Sequence, residues 1–158
     1  MRSMKKIDLG ETIQMLANVG VLVGILLLVY ELNQNRSMMA SETRNAIAQT
    51  LATMLRDEAS DAQLRDIQLR FSAGEELTPV EKSQIALNWN AYFRLWENMN
   101  YQYRNGLFDD AEYFAEQEAW RRNLADPAIR RLWCSRRNEV SPRFSDEMNE
   151  LLGDNSCE

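Results

Sequence analysis

Residues 19–29 read VGVLVGILLLV, an unbroken run of apolar residues and glycine near the start of the 158-residue chain. The wider segment from Thr12 to Tyr30, 19 residues in all, carries no charged side chain. In an α-helix each residue adds about 1.5 Å, so this segment approaches the roughly 30 Å thickness of a bilayer's hydrocarbon core. The run therefore predicts a transmembrane helix, which we place at residues 12–32.

Two other interpretations of this run fit less well. A helix buried in a soluble bundle usually keeps polar residues on its outer face, and residues 19–29 have none. A secretory signal peptide has a basic segment before its apolar run and a small-x-small cleavage site after it. Here the acids Asp8 and Glu11 precede the run, and Arg36 follows it without such a site. Both alternatives are therefore disfavoured.

The rest of the chain reads as water-soluble helices. We divide the sequence into a basic N-terminal segment (1–11), the transmembrane helix (12–32), an amphipathic stalk helix (33–60), a helical bundle (61–152) and an acidic tail (153–158). Because no strand pattern or fixed repeat occurs, the predicted fold class is all-α, an N-terminal transmembrane helix followed by a small soluble helical bundle. The sequence leaves open whether the transmembrane helix breaks near residues 33–37 or runs on into the stalk.

Helix boundaries carry clear local signals. Thr78 can cap a helix, Pro79 fits its first position and Glu81 completes a capping box. Asp126-Pro127 and Ser141-Pro142 repeat the cap-then-proline pattern. Helical spacing marks two inward faces: Ala40, Thr43, Ile47, Thr50, Leu51 and Met54 on the stalk, and Ile85, Trp89, Tyr92, Trp96, Met99 and Tyr103 after Pro79.

Small residues inside the transmembrane segment suggest helix association. Gly20 and Gly24 form a G-x-x-x-G pair, and Ala17 extends the small face by one turn. Small residues at this spacing let two membrane helices approach closely. Glycine is also common in membrane helices for other reasons, so self-association through this face is a hypothesis.

Two amides lie near the beginning of the segment. Gln14 and Asn18 are four residues apart and so share one helix face. Either both lie at the hydrated membrane interface, or they form a polar interhelical contact or line a pore.

Composition excludes several classes of function. The chain has no histidine and a net charge of −6. It therefore lacks the commonest general base and transition-metal ligand, and it lacks the basic footprint of a nucleic-acid binder. No phosphate-binding glycine loop or paired Cys-x-x-Cys motif is present. We expect no enzyme activity, no cofactor, no metal and no nucleic-acid partner. Cys134 and Cys157 favour two free thiols, with a disulfide between them as the alternative in an oxidising compartment.

Two groups of side chains, one aromatic and one basic, are the candidates for a binding function. Trp89, Tyr92, Trp96 and Tyr103 either pack in the core or form part of a ligand groove or protein interface. The segment 121–143 carries +5, with seven arginines: Arg121, Arg122, Arg130, Arg131, Arg136, Arg137 and Arg143. These arginines either pair with the acids at 109–118 or face an acidic protein or anionic lipid headgroups.

The sequence also resembles a broad group of uncharacterised bacterial single-pass membrane proteins with a C-terminal helical domain. The resemblance lies in the anchor's end at Tyr30-Glu31-Leu32-Asn33-Gln34-Asn35, in Trp133, in Ser141-Pro142-Arg143-Phe144 and in Leu151-Leu152. It covers most of the chain in outline through short motifs. The group has no known activity, so the resemblance implies architecture and no chemistry.

These features together predict a membrane-anchored helical interaction or scaffold protein, non-enzymatic and homo-oligomeric, that contacts membrane lipid. The alternatives are a small oligomeric channel lined by the Gln14/Asn18 face and a membrane-tethered ligand sensor. Arg2, Lys5 and Lys6 precede the span, while Arg36 and Arg44 follow it. We expect the protein in the bacterial inner membrane. There this charge bias favours an N-terminus in the cytoplasm.

Overall fold

The computed structural model describes residues 9–153 and Cys157. The basic residues Arg2, Lys5 and Lys6, and most of the acidic tail, lie outside this part of the chain. The described part forms six α-helices and one short 3₁₀ helix. They are α1 (Leu9–Ser60), α2 (Ala62–Ser72), α3 (Pro79–Arg104), α4 (Asp110–Leu124), α5 (Pro127–Arg136), the 3₁₀ helix (Arg137–Glu139) and α6 (Pro142–Leu152). The all-α prediction is confirmed.

Helix α1 passes through residues 33–37 without a break. The chain divides into two compact units, one up to Met39 and one from Ala40 onward, which we describe separately. In the first unit every described residue from Leu9 to Met39 is exposed. Leu22 and Leu26, for example, expose 60% and 68% of their surface. This helix is long and apolar enough to cross a membrane.

The predicted helix starts form as local chemistry requires. The Thr78 side chain accepts a hydrogen bond from the Glu81 N–H at 3.3 Å, and the Glu81 carboxylate accepts one from the Thr78 N–H at 2.7 Å. Asp126 caps α5 through the Ala128 N–H at 2.8 Å. Ser141 precedes α6, but its side chain makes no capping hydrogen bond. Free N–H groups at the starts of α2, α3, α4 and α5 are thus satisfied by aspartate side chains or Thr78.

The second unit is built around α3. Phe93, Trp120, Trp133 and Phe144 are almost fully buried. Their rings meet edge to face, with centroid distances of 5.3 Å between Phe93 and Trp133 and 5.7 Å between Trp133 and Phe144. A smaller apolar cluster joins Ile67, Leu77 and Ile85. Aromatic rings are therefore a large part of the core, and they meet in the edge-to-face contacts that aromatic pairs favour.

The two cysteines form a disulfide, so the preference for free thiols was wrong. Cys134 on α5 and Cys157 are bonded, with their Cα atoms 5.3 Å apart. Their separation of 23 residues gave no sequence signal for pairing. Helix α6 folds back so that Phe144 contacts Trp133, one residue before Cys134. This return of the chain brings Cys157 next to α5.

Candidate functional site

The glycine face of α1 is open. A Cβ atom placed on Gly20 or Gly24 would meet no other atom within 4 Å. Ala17 lies one turn earlier and is also exposed. Among residues 9–39, no side chain covers this face, so a second helix could approach the backbone there. Gln14 and Asn18 are likewise exposed on the same helix.

The predicted aromatic set divides between core and surface. Trp96 is buried and stacks on Trp120 with ring centroids 5.5 Å apart. Tyr103 is half-buried and stacks on Tyr113 at 4.0 Å. Trp89 and Tyr92 are also half-buried, with centroids 5.4 Å apart. The last pair lies at the rim of a cleft, where its rings are partly accessible.

That cleft surrounds a carboxylate that sequence analysis did not single out. Glu58, in the last turns of α1, accepts hydrogen bonds from the Asn88 amide at 2.7 Å and the Tyr92 hydroxyl at 2.9 Å. The Gln68 amide donates a third. The cavity beside it has a volume of about 310 Å³ and is also lined by Trp89 and other side chains. We call it the Glu58 cleft.

The spacing of residues along α1 gives a sequence signal that points to Glu58. Glu58 follows Met54 by four residues and so continues the inward stripe of the stalk. An acid at an inward-facing position needs donors from a neighbouring element. Asn88 and Tyr92 on α3 supply two of them. Burial, reinforced by the hydrogen bond to Glu58, raises the pKa of Tyr92, which therefore remains a donor.

A second polar group lies inside the bundle. Asn100 is fully buried, and its amide donates to the Tyr113 hydroxyl at 2.7 Å and to Glu147. Tyr113 and Gln117 also donate to Glu147, the latter at 2.7 Å. Burial is the main reason that the pKa of Tyr113 is raised. This network of buried and half-buried groups joins α3, α4 and α6 through side-chain hydrogen bonds, so we assign it a structural role.

The arginine-rich segment is largely without internal counter-ions. Arg121 pairs with Glu118 and Arg136 with Glu139. Within the part of the chain that the structure describes, the other five arginines, Arg122, Arg130, Arg131, Arg137 and Arg143, form no ion pair. Glu112, one of the acids expected to face them, instead pairs with Arg44 at 2.6 Å.

Part of this basic segment borders a shallow cavity. Arg121 and Arg130 line it together with Glu150 and apolar residues, and its volume is about 280 Å³. The five arginines without ion pairs are exposed or half-buried and are available to an external anion. We call them the arginine surface.

No group of three or more cysteine, aspartate or glutamate residues within residues 9–153 and Cys157 is arranged to hold a metal ion. Comparisons with protein families, with curated proteins and with solved structures find no match to this chain.

Proposed function

We propose that this protein is a non-enzymatic, membrane-anchored interaction module that assembles with copies of itself. The transmembrane helix would hold the chain in the bacterial inner membrane, and the helical domain would provide contacts between copies. Membership of the bacterial single-pass group that the sequence resembles is part of this proposal. It rests on the motifs at Tyr30–Asn35 and Ser141–Phe144.

The exposed apolar surface of α1 supports the anchor. Side chains such as Val21, Leu22 and Leu26 expose half or more of their surface. Exposed apolar area costs roughly 25 cal/mol per Å² in water. A continuous apolar helix therefore needs a lipid or protein environment.

The disulfide supports an orientation. Disulfides persist in oxidising compartments and are rare in the cytoplasm. The Cys134–Cys157 bond thus favours a domain outside the cytoplasm. The basic residues before the span favour the same orientation, with the N-terminus inside. A membrane-impermeant protease added to intact spheroplasts should then cleave the domain, and protection of the domain would reverse the assignment.

Charge complementarity is the observation that carries the proposed self-association. The segment 121–143 carries +5 within a chain of net charge −6, so the remainder carries −11. The arginine surface has no internal partners among the described residues. The acidic residues of a second copy carry the carboxylates that these guanidinium groups match. Close packing of the Gly20/Gly24 faces would add a contact within the membrane.

The test is the oligomeric state of the full chain in detergent. We expect wild-type protein to be larger than a monomer in light scattering at low salt and to dissociate as salt rises, because salt screens charge attraction. The double variant Arg122→Glu/Arg131→Glu should dissociate at lower salt. Arg65→Glu/Lys82→Glu makes the same change of charge on α2 and α3 and should behave as wild type. A monomeric wild type would refute the proposal.

Two alternatives have their own supporting features. The channel alternative rests on the Gln14/Asn18 face of α1, which is exposed. The sensor alternative is favoured by the Glu58 cleft, which Trp89 and Tyr92 line. If wild-type protein binds anionic vesicles through the arginine surface while remaining monomeric, the partner is lipid and not a second copy.

A further inference from the structure

The Glu58 cleft combines features that select a ligand class. It is lined by three aromatic rings, Phe71, Trp89 and Tyr92, and by the polar side chains of Gln68 and Ser72. Among the described residues that line it, Glu58 is the one that carries a charge. Its volume of about 310 Å³ lies at the lower end of the range for small-molecule sites. The cleft therefore has an apolar wall and a single negative charge.

Hydrogen bonds hold the carboxylate of Glu58 in place, but no basic side chain of the described residues pairs with it. All three of its hydrogen-bond donors, on Gln68, Asn88 and Tyr92, are uncharged. No lysine or arginine of the described residues lies within ion-pair distance of it. A carboxylate offers about four acceptor positions. Described residues fill three of them, which leaves one for a donor from outside this part of the protein.

The aromatic rings of the cleft, like its carboxylate, favour a positively charged ligand. The faces of Trp and Tyr attract cations within about 6 Å of the ring centroid. Trp89 and Tyr92 lie 5.4 Å apart and are tilted by 44°. Both are half-buried, which weakens competition from water. The rings and the carboxylate thus act on a positive group in the same small space.

We propose that the Glu58 cleft binds a small organic cation, an amine with an apolar or aromatic body. Its ammonium group donates to the free acceptor position of Glu58, and its body packs against Trp89 and Phe71. This inference is independent of the proposed self-association, and it names the ligand class that the sensor alternative requires. A neutral ligand of the same shape would leave the charge of Glu58 uncompensated, and an anion would be repelled.

The experiment uses the full-length protein in detergent and three primary ammonium cations: phenethylamine, benzylamine and cyclohexylmethylamine. Binding is followed by calorimetry and by tryptophan fluorescence, since Trp89 lines the site. 2-Phenylethanol serves as the neutral analogue of phenethylamine and phenylacetate as an anionic one. We expect at least one cation to bind saturably, with phenethylamine at least about tenfold tighter than 2-phenylethanol.

Two variants and one control locate the site. Glu58→Gln keeps the shape and removes the charge, and it should weaken cation binding by about tenfold or more. Ser72→Trp fills the cleft while leaving every partner of Glu58 in place, and it should abolish binding. Glu116→Gln removes a half-buried carboxylate from a different cavity and should bind as wild type does. Circular dichroism of each variant checks its fold.

The outcomes are distinct. If none of the three cations binds saturably below about 10 mM, or if phenethylamine and its alcohol bind equally, the proposal is wrong. Equal binding by wild type and the folded Ser72→Trp variant would place the cation elsewhere, in the micelle or on the surface, and would also overturn it. Should Glu58→Gln fail to fold, the Ser72→Trp result decides. Light scattering on the same samples measures the oligomeric state. A failure of cation binding can therefore be told apart from a failure of self-association.

Discussion

Removal of the disulfide should lower the stability of the helical domain substantially. The substitution Cys157→Ser changes one half-buried sulfur and opens a loop whose ends are 23 residues apart in sequence. In the chain-entropy account, closing a loop of this length lowers the entropy of the unfolded state and so raises its free energy by about 3 kcal/mol at 25 °C. We therefore expect Cys157→Ser to lose about 3 kcal/mol of unfolding free energy, because the native contacts of α5 and α6 are otherwise kept.

The assay is urea unfolding of the full chain in detergent, followed by tryptophan fluorescence. Buried Trp120 and Trp133 report on the core. Wild type without reductant should have the highest midpoint. Wild type with dithiothreitol, Cys134→Ser and Cys157→Ser should share a lower one. Dithiothreitol should have no effect on either variant, which controls for effects of the reductant itself.

Two outcomes would contradict this prediction. If mass spectrometry finds the disulfide intact in wild type, yet Cys157→Ser unfolds within about 0.5 kcal/mol of it, the bond does not restrict the unfolded chain as argued. Equal stability of wild type with and without reductant would give the same conclusion.

Four further predictions concern other parts of the molecule. Gly20→Ile should weaken self-association of the span in a membrane two-hybrid assay, because the new side chain holds the backbones apart; an unchanged signal would exclude this face. The hydrogen bond from Arg70, together with that from the Thr78 N–H, lowers the pKa of Glu81 from 4.5 to about 2. The resulting stabilisation is present above pH 4.5 and is lost as the pH falls toward 2, so Glu81→Gln should show a shallower loss of thermal stability over that range, and parallel curves would contradict this. Phe144→Ala should cost about 3–5 kcal/mol in urea unfolding, because it leaves a cavity among buried rings; a loss below about 1 kcal/mol would show that the core repacks. In planar bilayers we expect neither wild type nor Asn18→Asp to conduct, since one amide pair at one end of an apolar helix makes a poor pore; a cation-selective current from Asn18→Asp would support the channel alternative instead.

Helix boundaries were predictable because their determinants are local. The capping box of Thr78 and Glu81 and the proline at 79 act within one turn, and α3 begins at Pro79 as expected. The stalk stripe was also informative, since Ile47 is buried and Leu51 and Met54 are half-buried. The stripe along α3 was incomplete. It omitted Phe93, which is buried because α3 contacts neighbours on more than one side.

The candidate ligand site was only half visible in the sequence. Trp89 and Tyr92 were chosen for their spacing, while Glu58 was overlooked in a segment assigned to the stalk. Its role depends on Gln68, Asn88 and Tyr92, which lie 10, 30 and 34 residues away along the chain. No local pattern predicts that such distant donors converge on one carboxylate. The same holds for Asn100, Tyr113 and Glu147.

The all-α class, the apolar helix of membrane-spanning length and most helix starts follow from the order of residues, because hydrophobic run length, periodicity and capping act over a few neighbouring residues. The folded structure was needed to see three further features: Cys134 pairs with Cys157, five arginines lack ion-pair partners among the described residues, and Glu58 lies beside an aromatic cleft. Each of these depends on helices that meet in space after long stretches of intervening chain. Pairing, charge compensation and cavity shape are properties of that packing, and they cannot be read from residues in order.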